Sequence, residues 1–279
     1  MEQLRNMQEL VSADWRGREP PRQRHIGDLA WGWHTAGEGR RVKLWDGAWA
    51  WLDVGAAEIQ VHPDLVGSDL HHEVLDWVEG LSVPVLETDV ATLTVLEGRG
   101  YRRVEPNYPF VHLVRALEGL PELDPELEVP HGYRLRHVGE GDLERRVAVH
   151  RAAFHPSQLT VEKYANVMDA FPYRPDLDRV VEAPDGSFAA YVLCWLDEEN
   201  GIAELEPVGT HPDHRRRGLA RAASIAALRR AHELGARFGI VYARADEAYP
   251  VPKSLYESIG FRAQARVLEL SPARPRSGA

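Results

Sequence analysis

The chain has a single cysteine, Cys194, among 279 residues, so no intramolecular disulfide can form. That usage suits a reducing compartment, and the cytoplasm is the expected location. The thiol lies in the apolar run Ala190 to Trp195 and reads as a buried, inert group. No apolar run approaches the roughly 18 residues of a membrane span, and nothing resembles a signal peptide. No Gly-x-Gly-x-x-Gly follows a strand-like segment, which sets aside a dinucleotide-binding oxidoreductase. Positive charge is in short supply: Lys+Arg 33 stands against Asp+Glu 43, a formal net charge of −10. A general nucleic-acid binder needs basic surface to meet phosphates, so nucleic acid is not an expected partner. Metal-ligand spacing is missing as well. His71-His72-Glu73 and the pair His150 and His155 do not suit one helix face, and no metal is expected. What remains is ample apolar material (44%), enough for one large domain or two moderate ones.

The most informative stretch runs from Glu206 to Ala222. It reads as the end of a strand (Ile202 to Val208), a turn carrying Arg215-x-x-Gly218-x-Ala220, and an Ala-rich helix from Gly218 to Leu234. Amides at a helix start, backed by the macrodipole, favour a phosphate or pyrophosphate. Glycine at 218 lets backbone approach a ligand closely, and alanine at 220 adds little bulk. A second strand-like run (Phe238 to Ala243) and then Leu255-Tyr256-Glu257-Ser258-Ile259-Gly260-Phe261 follow.

Strand, Arg-x-x-Gly-x-Ala, helix, strand and Leu-Tyr-x-x-x-Gly-Phe in that order resemble the GNAT (GCN5-related) N-acetyltransferase superfamily, over roughly Ala203 to Phe261. The resemblance implies a mixed α/β fold: a central, mostly antiparallel sheet flanked by helices. It implies acetyl-CoA as co-substrate and a small-molecule amine as acceptor. Arg215 and the turn formed by Arg216, Arg217, Gly218, Leu219 and Ala220 would hold the pyrophosphate. Backbone groups of Val208 and Thr210 would contact the pantetheine and the thioester carbonyl. Tyr256 would stand near the sulfur, and a phenol protonated at neutral pH can hand its proton to a departing thiolate. One departure is Tyr249-Pro250-Val251-Pro252, where many members carry Asn, so the edge of the CoA site is expected to be shaped differently.

The base is open between two residues. Glu204 and Glu206 flank Leu205, and period-two geometry puts both carboxylates on one strand face. Counted back from Arg215, Glu204 lies where several family members keep a glutamate base; Glu206 is nearer the expected thioester. An amine could also lose its proton to water before binding. The paired glutamates and acidic balance favour a cationic acceptor, aminoglycoside-type antibiotics included. An acyl-CoA-binding sensor without turnover is the alternative from another class.

The first half repeats the plan. Val61-His-Pro-Asp64 echoes Thr210-His-Pro-Asp213, again between a strand (Ala57 to Val61) and a helix (Leu70 to Val78), and Thr94 to Arg102 echoes Ser254 to Arg262. Val66, Asp69 and His71 stand where the second half has Arg215, Gly218 and Ala220, and Leu96 stands for Tyr256. This copy is expected to have lost CoA binding and turnover. The expected organisation is a degenerate GNAT-like domain over 1–118, an acidic, proline-rich linker over 119–130, a catalytic domain over 131–270 and a disordered tail over 271–279. The assembly is expected to be a monomer or homodimer. His211, repeated as His62, is expected to shape its turn, and most of the tryptophans to pack in cores.

Overall fold

A computed structural model describes the chain except for residues 38, 54, 79, 121–128 and 274–279. Most of the expected linker and tail therefore lies outside the described residues. The first half holds α1 (Glu2–Trp15), α2 (Ile26–Thr35), β1 (Arg41–Trp45), β2 (Ala48–Asp53), β3 (Ala56–Val61), α3 (Asp69–Trp77), β4 (Val83–Leu86), α4 (Val90–Gly98), β5 (Tyr101–Val104) and β6 (Phe110–Ala116). The second holds β7 (Arg134–His137), α5 (Leu143–Ala153), α6 (Val161–Met168), β8 (Asp178–Glu182), β9 (Phe188–Asp197), β10 (Ile202–Thr210), α7 (Leu219–Glu233), β11 (Phe238–Arg244), α8 (Val251–Ser258) and β12 (Arg262–Pro272). The fold is mixed α/β, with mostly antiparallel sheets flanked by helices, as the sequence predicts. Both halves run through three strands, a helix, a strand, a helix and a strand. Among the described residues no helix is long and apolar enough to cross a membrane.

The sheets do not respect the expected boundary at residue 118. One sheet is β1-β2-β3; the other runs β4-β12-β6-β11-β10-β9-β8-β7, with β5 also on β12. Strand β6 of the first half lies between β11 and β12, pairing with β11 from Phe110↔Arg244 to Ala116↔Phe238. Strand β12 pairs first with β6, shifts register between Ala263 and Ala265, and then pairs with β4 and β5. Ser271 and Pro272, expected in the tail, belong to that strand. Each half thus completes the other's sheet, a pairing between distant residues that local sequence pattern does not encode.

Three of the five buried clusters among the described residues explain the arrangement. Ala222, Ala223, Ala227 and Ala231 of α7 are wholly buried against β9 and β10, as the Ala-rich face predicts, whereas Ala226 is only half-buried. A second cluster lies between α3, α4 and the strands of the first half. A third joins the halves: Leu4, Met7, Val11 and Trp15 of α1 and Ile26 and Leu29 of α2 pack with Trp49, Ile202 and Ile240. Of the tryptophans expected to pack in cores, Trp49 and Trp51 are buried, whereas Trp31, Trp33 and Trp45 are half-buried. Cys194 is 1% exposed, and burial pushes its thiol pKa up, so it is not a nucleophile.

Candidate active site

A parallel strand pair that separates part-way leaves one edge of each strand without a partner. Strands β10 and β11 pair in parallel only over Ile202↔Phe238, Ala203↔Gly239 and Glu204↔Ile240. Beyond Glu204, β10 keeps its antiparallel partner β9 as far as Thr210 but loses β11. The opened edge includes Val208 and Thr210. The register of β10 against β9 shifts between Leu205 and Val208, a bulge that holds Glu206, and the indole Nε1 of Trp195 donates to the Glu206 carbonyl at 2.7 Å.

Strand β10 leads directly into the turn that carries Arg215 to Ala220. The His211 ring accepts a bond from the Asp213 amide at 3.3 Å and caps a short 3-10 turn; His62 does the same for Asp64 at 3.3 Å. These matched caps give both histidines the turn-shaping geometry read from the repeat. Arg216 has φ of 60°, the single non-glycine positive φ among the described residues, and Gly218 follows at 75°. A non-glycine residue held in the left-handed region costs roughly 1 kcal/mol or more and persists where surrounding structure requires it. Gly218 is the N-cap of α7; no side chain caps this end, and a Cβ at 218 would meet nothing within 4 Å. The first-turn amides of α7 therefore present an anion cradle with open space above it.

The first-half turn keeps the backbone and loses the cradle. Gly67, the counterpart of Arg216, also has positive φ, at 84°. Helix α3 starts one position earlier, with Ser68 as its N-cap. The His71 ring, in place of Ala220, is wholly buried and accepts from the Gly67 amide at 3.2 Å. Burial pushes its pKa down to about 4, which leaves that nitrogen free to accept. Strands β3 and β4 touch through a single bridge, Ala56↔Ser82. In the gap beyond, Gln23 donates to the Pro84 carbonyl at 3.2 Å and accepts from the Leu86 amide at 2.7 Å. A protein side chain takes the β4 backbone bonds that a ligand in this gap would need.

The segment carrying Gln23 continues onto the second-half cleft, a contact that local sequence pattern does not encode. The Tyr242 hydroxyl of β11 hydrogen-bonds to the carbonyls of Arg22 and Gln23 at 2.7 and 2.8 Å. His25 opens α2 with a capping box: its Nδ1 accepts from the Gly27 amide at 3.1 Å, and Asp28 accepts from the His25 amide at 3.0 Å. The other ring nitrogen of His25 reaches the Ile202 carbonyl at 3.3 Å. One carboxylate oxygen each from Asp28, Glu204 and Glu206 lie within 4.8 Å of one another. The two glutamates therefore share a face, as their period-two spacing predicts.

Burial divides the roles of those carboxyls. Glu204 is 0% exposed and neither oxygen has a hydrogen-bond partner, whereas Glu206 and Asp28 are half-buried. Burial and then the Asp28 charge push the Glu204 pKa well above the usual carboxylate range; burial, Asp28 and Glu204 do the same for Glu206. Tyr256 on α8 is 6% exposed, and burial, then Glu206, push its phenol pKa upward, so it stays protonated. The structure brings together Glu204, Glu206 and the β10 edge that leads to the Arg215–Ala220 turn. Sequence reading passed over Asp28, His25 and Tyr242; the His-x-x-Asp cap was the one local signal. His150 is packed: its Nδ1 lies 2.7 Å from the Tyr191 hydroxyl, its ring stacks on Phe154, and burial pushes its pKa down to about 3.

This geometry can be set beside known proteins. Residues 147–261 match the Acetyltransferase (GNAT) family. That match lies within the second half of the chain. Over 156 residues the chain is 29% identical to a mycothiol acetyltransferase from Propionibacterium freudenreichii subsp. shermanii, covering 54% of this chain and 49% of that one. The chain thus spans about half the length of that curated relative. In fold it is similar to a tandem GNAT protein from the clavulanic acid biosynthesis pathway, with a TM-score of 0.65, 16% identity and coverage of 99% and 96% of the two chains. It is also similar to a GCN5-related N-acetyltransferase from Sphaerobacter thermophilus, with a TM-score of 0.61, 19% identity and coverage of 98% and 94%. Full-length likeness of this kind shows that the paired arrangement belongs to the GNAT fold.

Gly27 ties α2 to the cleft beside β10. A Cβ there would lie 2.2 Å from Cγ of Trp195, whose indole also holds the Glu206 carbonyl. Gly27→Ala must displace α2 or that indole, at a cost of about 1–3 kcal/mol. A lower melting temperature together with reduced turnover is expected, and an unchanged melting curve would show that the contact is not tight.

Proposed function

We propose that the second half transfers the acetyl group of acetyl-CoA to a primary amine of a small, cationic molecule. The observation that carries this reading is the run of functions along one continuous piece of chain. Two carboxyls, the opened edge of β10 and an uncapped helix start follow in order from Glu204 to Ala220. The turn amides and Arg215 bind the pyrophosphate. Backbone groups of Val208 and Thr210 orient the pantetheine and polarise the thioester carbonyl. The amine gives its proton to the carboxyl group of the cleft, directly or through water, with Glu206 the accessible member. Its lone pair attacks the carbonyl carbon, the C–S bond breaks, the thiolate takes the proton of the Tyr256 hydroxyl, and the excess proton on the new amide nitrogen passes through water to restore the phenol.

The acidic cleft favours a cationic acceptor. Aminoglycosides and amino sugars belong to that class, and the acceptor of the mycothiol acetyltransferase relative is a natural member of any test panel. The first half carries no turnover, because His71 fills its cradle and Leu96 cannot donate a proton. The test is release of CoA thiol from acetyl-CoA across a panel of amines. Amine-dependent release is expected. Tight CoA binding without release for any amine would overturn catalysis and leave the acyl-CoA sensor.

A further inference from the structure

Beside the Asp28 carboxyl, Glu204 and Glu206 cannot ionise independently of each other, because each charge raises the cost of the next. In the cleft the nearest cation, Arg24, is already shared with Glu58 of β3 at 3.2 Å. The contact between Glu204 and His25 adds a second, purely geometric argument. His25 Nδ1 lies 3.2 Å from Glu204 Oε2, yet that nitrogen accepts from the Gly27 amide and so presents a lone pair. An ionised Glu204 would face that lone pair with another one, without a hydrogen bond to either oxygen. A protonated Glu204 removes the conflict.

We propose that Asp28, supplied by α2 of the first half, is a positioning residue of the second-half site, and that Glu204 and Glu206 beside it share a proton that is retained at neutral pH. Asp28 sets the proton affinity of Glu206, the member that faces the acceptor. The capping box fixes the Asp28 carboxyl, and the close seat of Gly27 on Trp195 fixes the helix against the β10 bulge. The other charged and titratable groups around these carboxyls are Arg24 and His25 on the approach to α2, Tyr242 on β11, Tyr256 on α8, and Cys194 and Asp197 on β9. His25 is held neutral by burial, and the tyrosines and cysteine have raised pKa values, so near neutral pH Glu204 and Glu206 are the members that change charge. This extends the proposed acetyl transfer by giving the first half a part in the chemistry.

The test uses the whole chain, freed of divalent cations, and two readouts. Infrared titration of the free protein should show the carbonyl stretch of a protonated carboxylic acid at neutral pH. Asp28→Asn keeps the side-chain oxygen that caps α2 but removes the charge. It should shift the loss of that band, and the rising limb of the kcat/KM pH profile, down by about 1 pH unit. Asp28→Glu restores a carboxylate and should move both back toward the parent. Absence of the band at neutral pH in the parent protein overturns the shared proton, even if acetyl transfer is robust. Failure of every amine to release thiol, with the band present and shifted, instead overturns the acetyl-transfer reading and leaves the shared proton standing. An unshifted band and limb in a folded Asp28→Asn protein overturns the role of Asp28. If that variant does not fold, Glu206→Gln titrated by infrared tests the coupling, because removing one member must lower the pH at which the remaining band disappears. No shift overturns the proposal.

Discussion

Tyr256→Phe is expected to lower kcat by about 10²- to 10⁴-fold, the range for loss of a positioned proton donor, while acetyl-CoA affinity stays nearly unchanged. The reason is a division of labour along the cleft. Pyrophosphate binding is proposed for the turn at Arg215 to Ala220, whose groups are backbone amides and an arginine, and nothing there depends on the phenol. Tyr256 is 6% exposed and packs edge-on to Phe261 with ring centroids 5.9 Å apart. Removing only its oxygen leaves that packing in place. Burial and the nearby Glu206 raise the phenol's pKa, so the proton is present throughout the neutral range. The parent profile should accordingly show no falling limb from this residue below about pH 10. Single-turnover kinetics with equilibrium binding of CoA checks both halves of the expectation. Unchanged turnover would remove Tyr256 from the chemistry.

How much of this site could be read from the chain depends on how far apart its parts lie. The turn from Arg215 to Ala220, the helix it opens and the pair Glu204 and Glu206 are local features, and period and spacing expressed them directly. His211 was legible because the chain carries a second copy of it. Asp28 was not, because it reaches Glu206 only through α2 packing on Trp195, and Gly27 discloses that close approach only once the fold is known. The exchange of β6 and β12 was equally hidden. Both strands look ordinary in isolation, and their partners are set by pairing between distant segments. The expected boundary at residue 118 follows the composition of the chain, whereas the sheets follow the pairing.

Asp178→Ala is expected to destabilise the fold by about 3–5 kcal/mol, the cost of leaving a buried charge uncompensated. Arg146 on α5 and Asp178 on β8 are both 0% exposed, and the Arg146 Nε lies 2.9 Å from the carboxylate. The second carboxylate oxygen accepts from the hydroxyls of Tyr164 and Tyr173. The guanidinium has no other strong support. Its Nη1 and Nη2 lack hydrogen-bond partners, and it lies between the rings of Tyr191 and Tyr164, 3.7 and 4.7 Å from their centroids. Cation–π contacts with two rings offset part of its desolvation but cannot replace the carboxylate. Removing Asp178 therefore leaves both the charge and two phenol hydroxyls unsatisfied. Replacing Arg146 and Asp178 together with apolar residues of similar volume should cost much less than Asp178→Ala alone, since the desolvation penalty disappears with the pair. Urea denaturation of the two variants checks this ordering. Equal losses in both would mean that packing, not the buried charge, sets the cost. The pair also bears on the cleft, because Tyr191 stacks on Arg146 and lies opposite Gly209 of β10, where a Cβ would meet the tyrosine ring at 2.6 Å. The backbone that is proposed to hold the thioester thus rests on a tyrosine whose own position depends on a buried ion pair.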